Sequence, residues 1–330
     1  MDDFKHYTVM LNEAVDALEC EKGKIYVDCT LGGGGHSELI LKRISPNGRL
    51  ISFDIDDEAI RHAKERLKDY SNLTIIKSSY TNIKAELQKL GIEKITGGVI
   101  LDLGASYHQL TKAERGFSFS KEAPLDMRFD MESNFSAYDV VNTYSEDELV
   151  RIFSEYGEER FSKNIARNIC IERKKAEIQT TAQLVKIIEN SIPKSKQNNG
   201  HPAKRTFQAI RIEVNNEIEP LYETVLKCIK ALKKDGRLCI ITFHSLEDRA
   251  VKKAYIEAEG RCTCPKDLPY CVCGATSYGK MVNKKPIIAT KEEQEENSRS
   301  KSAKLRIFER RKEGGESSWL NTNTEQALEN

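Results

Sequence analysis

Four short apolar runs open the chain, at 25–30 (IYVDCT), 49–55 (RLISFDI), 73–79 (LTIIKSS) and 97–104 (GGVILDLG). Their Val, Ile and Leu residues fall on consecutive rather than alternate positions. That pattern predicts strands buried on both faces, as in a parallel sheet. Stretches with helical spacing separate them. At 56–70 (DDEAIRHAKERLKDY), Ala59, Ile60, Ala63 and Leu67 share one helical face. Strand and helix alternate, so the expected fold is α/β and doubly wound.

The alternation then stops. From about 107 to 200 the pattern offers amphipathic helices with start signals in place of strands. Ser145 with Glu148, before Leu149, Ile152 and Phe153, reads as a capping box, and so does Thr180 with Gln183, before Leu184, Ile187 and Ile188. Helices follow at roughly 203–217 and 221–234, then a fifth strand at 236–245 (GRLCIITFHS) and a candidate edge strand at 304–311 (KLRIFERR). The expected organisation is a discontinuous sheet domain, 1–106 with 203–312. A helical insertion at 107–202 serves substrate recognition, and a polar tail occupies 313–330.

Composition adds limits. Of 330 residues, 39% are hydrophobic and 31% charged, an ordinary balance for a soluble protein. No apolar run approaches bilayer length, and the first residues lack a signal-peptide core, so a cytoplasmic protein with no membrane partner is expected. The net charge of +1 decides nothing by itself. Basic clusters at 167–175, 193–205 and 298–306 leave room for an anionic partner, although each is by itself a typical solvated surface. Five of the nine cysteines (Cys20, Cys29, Cys170, Cys228, Cys239) are scattered and read as small buried hydrophobes.

The chemistry concentrates after the first strand. DCTLGGGGHS (28–37) runs from strand to helix, where glycines let the backbone approach a ligand and a helix start presents free N–H groups. A dinucleotide fingerprint fails in either register: Gly32 and Gly34 are followed by Ser37, and Gly33 and Gly35 by Glu38. This makes a nicotinamide dehydrogenase remote. The pattern that fits is Asp28, Thr30, Gly32, Gly34, as in the S-adenosylmethionine loop of Rossmann-like methyltransferases. Asp54, ending the second strand, suits the ribose hydroxyls. Tyr80, after the third, is placed near an adenine or at the core edge, and Asp102 ends the fourth. Methyl transfer requires alignment and exclusion of water, with no obligatory nucleophile or metal. No catalytic residue is firmly assigned. The loop at 105–109 (ASYHQ) should meet the acceptor, with Ser106, Tyr107 and His108 as candidates.

Several longer segments carry a resemblance: HYTVMLNEAV (6–15), GGGGHS (32–37), LDLG (101–104), ERGFSFSKEAPLDMRFDM (114–131), YGEERFSKNIAR (156–167), HPAKRTFQAIRIEVNNE (201–217), FHSLEDR (243–249) and SAKLR (302–306). Together they resemble the bacterial 16S rRNA cytosine-N4 methyltransferases of the MraW (RsmH) type, over almost the whole chain. The resemblance implies a Rossmann-like S-adenosylmethionine-dependent methyltransferase sheet with an inserted helical subdomain. It implies methylation of the N4 amine of a decoding-centre cytidine, with 16S rRNA or the small ribosomal subunit as partner. It maps cofactor contacts onto Gly34, Gly35, His36, Asp54, Tyr80, Asp102 and Gln109, of which Gln109 comes from the resemblance alone.

Three features sit beside it. The segment at 201–217 has an apolar core side, while Lys204, Arg205 and Arg211 form a basic face suited to phosphate. Cys262, Cys264, Cys271 and Cys273 crowd into a dozen residues. They suggest structural zinc, with free or redox-active thiols as the alternative because C-x-C pairs are not the usual zinc spacing. Where the family usually reads G-V-S-S-P-Q, this chain has Gly104-Ala105-Ser106-Tyr107-His108-Gln109. That departure keeps open a divergent paralogue with another RNA, DNA or protein target. A non-catalytic RNA-binding assembly factor is the second alternative.

Overall fold

The computed structural model describes residues 8–197, 200–260 and 276–312. The chain divides into two compact units, one formed by 1–104 with 218–330 and the other by 105–217.

Among the described residues the first unit holds a sheet of eight strands: β1 (Ile25–Asp28), β2 (Arg49–Asp54), β3 (Leu73–Lys77), β4 (Gly98–Asp102), β5 (Arg237–Thr242), β6 (Gly279–Met281), β7 (Ile287–Ile288) and β8 (Lys304–Arg310). The order is β3-β2-β1-β4-β5-β8-β6, with β7 also on β8. β1 to β5 are parallel, and β8 runs antiparallel to β5. The consecutive apolar residues explain the two covered faces. In β5, Leu238 and Ile240 join one core with Val225, Ile229, Val251 and Tyr255, while Cys239 and Ile241 join the other with Ile40, Leu41 and Ile44. Side chains alternate along a strand, so only a strand apolar at every position serves both layers.

Two details depart from the sequence reading. β8 is not an edge: β5 lies on one side of it and β6 and β7 on the other. These two partners are three and two residues long, too short to show a period. Asn283 joins them to β8 with its side chain. Its Oδ1 accepts from Ile307 N (2.8 Å) and its Nδ2 donates to the Leu305 carbonyl (2.9 Å). The boundary also differs. The sheet unit resumes at Ile218, not at 203, because Phe207, Ala209 and Ile210 of the helix Lys204–Asn215 belong to the helical core.

That core, in the second unit, gathers Leu149, Ile152, Phe153, Ile165, Ile169, Leu184 and Ile188. Both expected capping boxes are present, at Ser145 with Glu148 and Thr180 with Gln183. Each satisfies two backbone N–H groups that the first turn leaves without partners.

Candidate cofactor site

From β1 the chain winds outward through β2 to β3, then returns to place β4 on the other side of β1. Such a reversal opens a crevice at the carboxyl ends of the strands. The glycine loop, Asp54 and Asp102 all lie at these ends.

Asp28, ending β1, is fully buried. Its Oδ1 accepts from Thr30 N (3.0 Å) and its Oδ2 from the Ser37 hydroxyl (2.7 Å), and Ser37 in turn meets Ser52 (2.9 Å). The carboxylate therefore ties the loop to the helix Gly35–Ile44. Burial pushes its pKa up to about 6 against the lowering effect of these bonds. Thr30 Oγ1 accepts from Asp102 N (2.6 Å), joining the loop to the end of β4.

The glycines have different reasons. Gly34 caps the helix at φ 80°, a left-handed conformation that penalises any Cβ. Gly35 is fixed by packing, since a Cβ there would sit 1.9 Å from Thr8 Oγ1. Around Gly32 the space is open, with Thr30 O at 3.9 Å the nearest neighbour to a Cβ.

Asp54 accepts from Gly32 N (2.8 Å) and Asp56 N (2.9 Å), and burial lifts it to about 6. Asp56 caps the helix Asp57–Arg66 by accepting from Glu58 N. Asp102 is the strongest outlier. Its Oδ1 is buried and has no hydrogen-bond partner among the described residues, and its Oδ2 lies 3.9 Å from Nδ1 of the buried His36. Burial pushes it to about 7. Arg299 pulls the other way, while Asp28, Glu247 and Glu293 push further. Tyr80, in the short turn Tyr80–Asn82, is half-buried against the core.

The crevice thus carries three carboxylates on neighbouring strand ends, Asp28 buried and Asp54 and Asp102 half-buried, with one acceptor atom unsatisfied among the described residues. Such a site disfavours a pyrophosphate and favours a cationic ligand bearing hydroxyl and amine donors. S-adenosylmethionine has that chemistry: a sulfonium, an ammonium, an exocyclic amine and a ribose diol.

The remaining candidates belong to the helical unit. Ser106 and Gln109 engage each other: Ser106 N donates to Gln109 Oε1 (2.8 Å), and Gln109 N donates to Ser106 Oγ (3.2 Å). Ser106, expected to face the acceptor, thereby caps the short helix Tyr107–Thr111. Lys204 and Arg205 are exposed, with Arg205 donating to the Glu158 carbonyl (2.8 Å). Arg211 departs from the expected basic face. Its guanidinium is half-buried and forms two bonds to Glu217, at 2.8 and 2.9 Å. The side chains of Tyr107 and His108 lie outside the described residues, as do Cys262, Cys264, Cys271 and Cys273.

Sequence reasoning missed His244 and Glu247, a buried pair just past β5. The signal was FHSLEDR at a strand end, with a carboxylate three residues after the histidine.

Fold and crevice define a class, the Rossmann-like α/β proteins that hold an adenosyl cofactor at a sheet's switch point. The family model described as the MraW methylase family matches residues 3–311. The chain belongs to this family of S-adenosylmethionine-dependent methyltransferases. It is 55% identical over 305 residues to ribosomal RNA small subunit methyltransferase H of Clostridium botulinum (strain Loch Maree), covering 92% of this chain and 98% of that one. The protein of the same name from Clostridioides difficile is 50% identical over 310 residues, covering 93% and 99%. Among solved structures, an rRNA methylase from Streptococcus thermophilus aligns over 92% of this chain and 98% of that one, at 13% identity and a TM-score of 0.39. Among the described residues no helix is long and apolar enough to cross a membrane.

Proposed function

We propose that this protein transfers a methyl group from S-adenosylmethionine to the exocyclic N4 amine of a cytidine in the decoding centre of 16S rRNA. Its substrate is the rRNA or the small ribosomal subunit, in the cytoplasm. The observation that carries this reading is the 55% identity, along 92% of the chain, to a relative named for that class of substrate.

The cofactor supplies a methyl carbon already activated by the sulfonium. The chain's residues bind and align. Gly34, Gly35 and His36 form the start of the helix facing the ligand. Asp54 accepts from the ribose hydroxyls, Tyr80 lies along the adenine, and Asp102 Oδ1 takes an N–H donor, with Gln109 completing the set. The acceptor nitrogen shares its lone pair with the ring, so groups that accept from its N–H bonds raise its nucleophilicity. The loop with Ser106, Tyr107 and His108 is assigned that contact. The helical unit, with Lys204 and Arg205 exposed, is assigned the RNA backbone.

Incubation with labelled S-adenosylmethionine and either small subunits, naked 16S rRNA, DNA or cell protein tests the reading. Label should enter small subunits or 16S rRNA, and mass-spectrometric mapping should place it on one N4-methylated cytidine. Label only in DNA or protein would overturn the assignment. The Tyr107 and His108 replacements favour one second reading, a divergent member that methylates another nucleotide, and the same map decides between them.

A further inference from the structure

The basic cluster at 298–306 divides in the structure. Lys304 and Arg306, on β8, are paired with Asp248 (3.5 and 2.6 Å), and Lys301 is exposed. Arg299 is half-buried, in the turn Ser298–Ser302 that leads into β8. β8 runs antiparallel to β5, with Lys304 opposite Thr242, so this turn lies at the carboxyl ends of the parallel strands. Several contacts tie it to the glycine loop. The helix before it, Lys291–Glu296, is joined to the start of the chain, because Glu293 Oε1 accepts from Met10 N (2.9 Å). Thr8, two residues earlier, is the side chain that packs on Gly35. Ala289 and Ala303, on either side of the turn, share an apolar core with Val9, Met10 and Leu31 of the loop. Asn297 Oδ1 accepts from Arg299 N (3.2 Å), and the guanidinium lies over the ring of Phe243, 5.8 Å from its centroid and one residue past β5. Arg299 is thereby held in the same corner as Asp102. Of the charges that act most strongly on that carboxylate it is the cation, against Asp28, Glu247 and Glu293.

The strand order lays out the cofactor. In the proposed function the adenine lies by Tyr80 after β3, the ribose at Asp54 on β2, and an N–H donor at Asp102 on β4. Neighbouring strands are about 4.8 Å apart, so the ends of β2 and β4, with β1 between them, are separated by about 10 Å. The methionyl end of the cofactor therefore points past β4, toward β5 and the start of β8. That end carries an ammonium and a carboxylate on one carbon. Asp102 Oδ1 suits the ammonium. The carboxylate, set among Asp28, Asp102, Glu247 and Glu293, requires a compensating positive charge. The N–H groups at the start of the helix Gly35–Ile44 can donate to it but bring no full charge. We propose that Arg299 binds the carboxylate of the methionyl group of S-adenosylmethionine, and so selects the cofactor by its amino-acid end. A guanidinium suits this anion because its paired N–H groups match the two carboxylate oxygens. The inference rests on S-adenosylmethionine as the cofactor, lying along the strand ends in that order.

Calorimetry on the full chain with S-adenosylmethionine and with decarboxylated S-adenosylmethionine tests the assignment, using the wild type, Arg299→Gln and Arg299→Lys. The second ligand keeps the sulfonium, amine, ribose and adenine and lacks the carboxylate. The wild type should prefer S-adenosylmethionine by about 10- to 100-fold, the range for a hydrogen bond to a charged group. Arg299→Gln should lose that preference. Its affinity for S-adenosylmethionine should fall by about the same factor, while affinity for the decarboxylated ligand falls by no more than about threefold. Arg299→Lys should retain part of the preference. An equal loss for both ligands in Arg299→Gln would make the residue structural and overturn the inference. So would unchanged affinity for S-adenosylmethionine together with weakened binding of 16S rRNA, which would assign Arg299 to a backbone phosphate. Equal binding of the two ligands by the wild type would overturn it as well, a readout that stands even if the variants fold poorly. A wild type that binds neither ligand would count against the cofactor reading instead.

Discussion

The crevice of the sheet unit and the interior of the helical unit treat their charges in opposite ways. At the strand ends of the sheet unit Asp28 is buried and Asp54 and Asp102 are half-buried, all pushed upward by desolvation, with no Lys or Arg ion pair among the described residues. In the helical unit the corresponding half-buried charges are matched: Arg211 with Glu217, Arg128 with Asp126, Arg151 with Glu213. Removing charge from water without compensation costs stability. A protein keeps such an arrangement where a ligand supplies the missing partner. The contrast separates a crevice whose carboxylates have no ion-pair partner from a unit whose half-buried charges are paired with one another.

The sharpest way to break the contrast is Asp102→Asn. If Asp102 binds a ligand donor, calorimetry should show S-adenosylmethionine affinity reduced by about 10- to 100-fold, the worth of a hydrogen bond to a charged group. The cofactor-free protein should meanwhile become more stable at pH 8, by roughly 2–4 °C in Tm, because a neutral amide replaces a desolvated carboxylate. Unchanged affinity would remove Asp102 from the cofactor's contacts.

pH sharpens the same point. The raised carboxyls retain protons in the folded state that the unfolded chain has already lost. Between about pH 4 and 7, therefore, these groups make the cofactor-free protein lose stability as pH rises. Cofactor binding favours the ionised forms, so affinity should climb through about 6 to 7 and level off above. Calorimetric affinities that stay flat from about pH 5.5 to 8 would refute the linkage.

On the helical side, charge reversal of Lys204 and Arg205 should weaken RNA binding several-fold. It should also lower the salt slope by about two, with cofactor affinity unaffected. An identical slope in the double variant would remove this face from the interface. The smallest effect on RNA belongs to Arg211→Gln. It breaks the pair with Glu217, so thermal melting should fall by a few degrees, on the order of 1–2 kcal/mol, while the salt slope stays within error. A changed slope would restore Arg211 to the basic face.

That last case shows where the sequence stops being readable. The helix Lys204–Asn215 was visible from its spacing, and so was its cationic side. The partner of Arg211, however, lies six residues on, which is not a neighbour on a helix. The two meet because Asn216 takes a left-handed conformation, φ 47°, that turns the chain back. The domain boundary at 203 differs for a related reason. Periodicity tells which face is apolar but not which core receives it, and Phe207 and Ile210 face the helical core. β1 to β5 were legible because burial on both faces requires apolar residues at every position. β6 and β7 depend on partner geometry and the Asn283 side chain, which leave no trace in a short run. Of the candidate site, Asp54 and Asp102 were expected at strand ends, and the structure places them there. Asp28 and Gly35 turn out to hold the loop itself together. His244 and Glu247 were passed over because the segment was read only as part of the resemblance, while in the structure they form the capping box of the helix after β5.

The place of β8 also bears on how the chain acquires its structure. β5 pairs with residues 304–309, and β4 with a strand that begins some 130 positions later, after the helical unit. During synthesis the helical unit, contiguous in sequence, is complete long before the sheet has its last interior strand. Closing so long a connection costs entropy that grows only as the logarithm of its length. The penalty therefore shows in rate more than in final stability, as for any topology dominated by distant contacts. Until residue 310 has emerged, β5 has an unpaired edge, and the nascent sheet is most open to wrong partners in that interval.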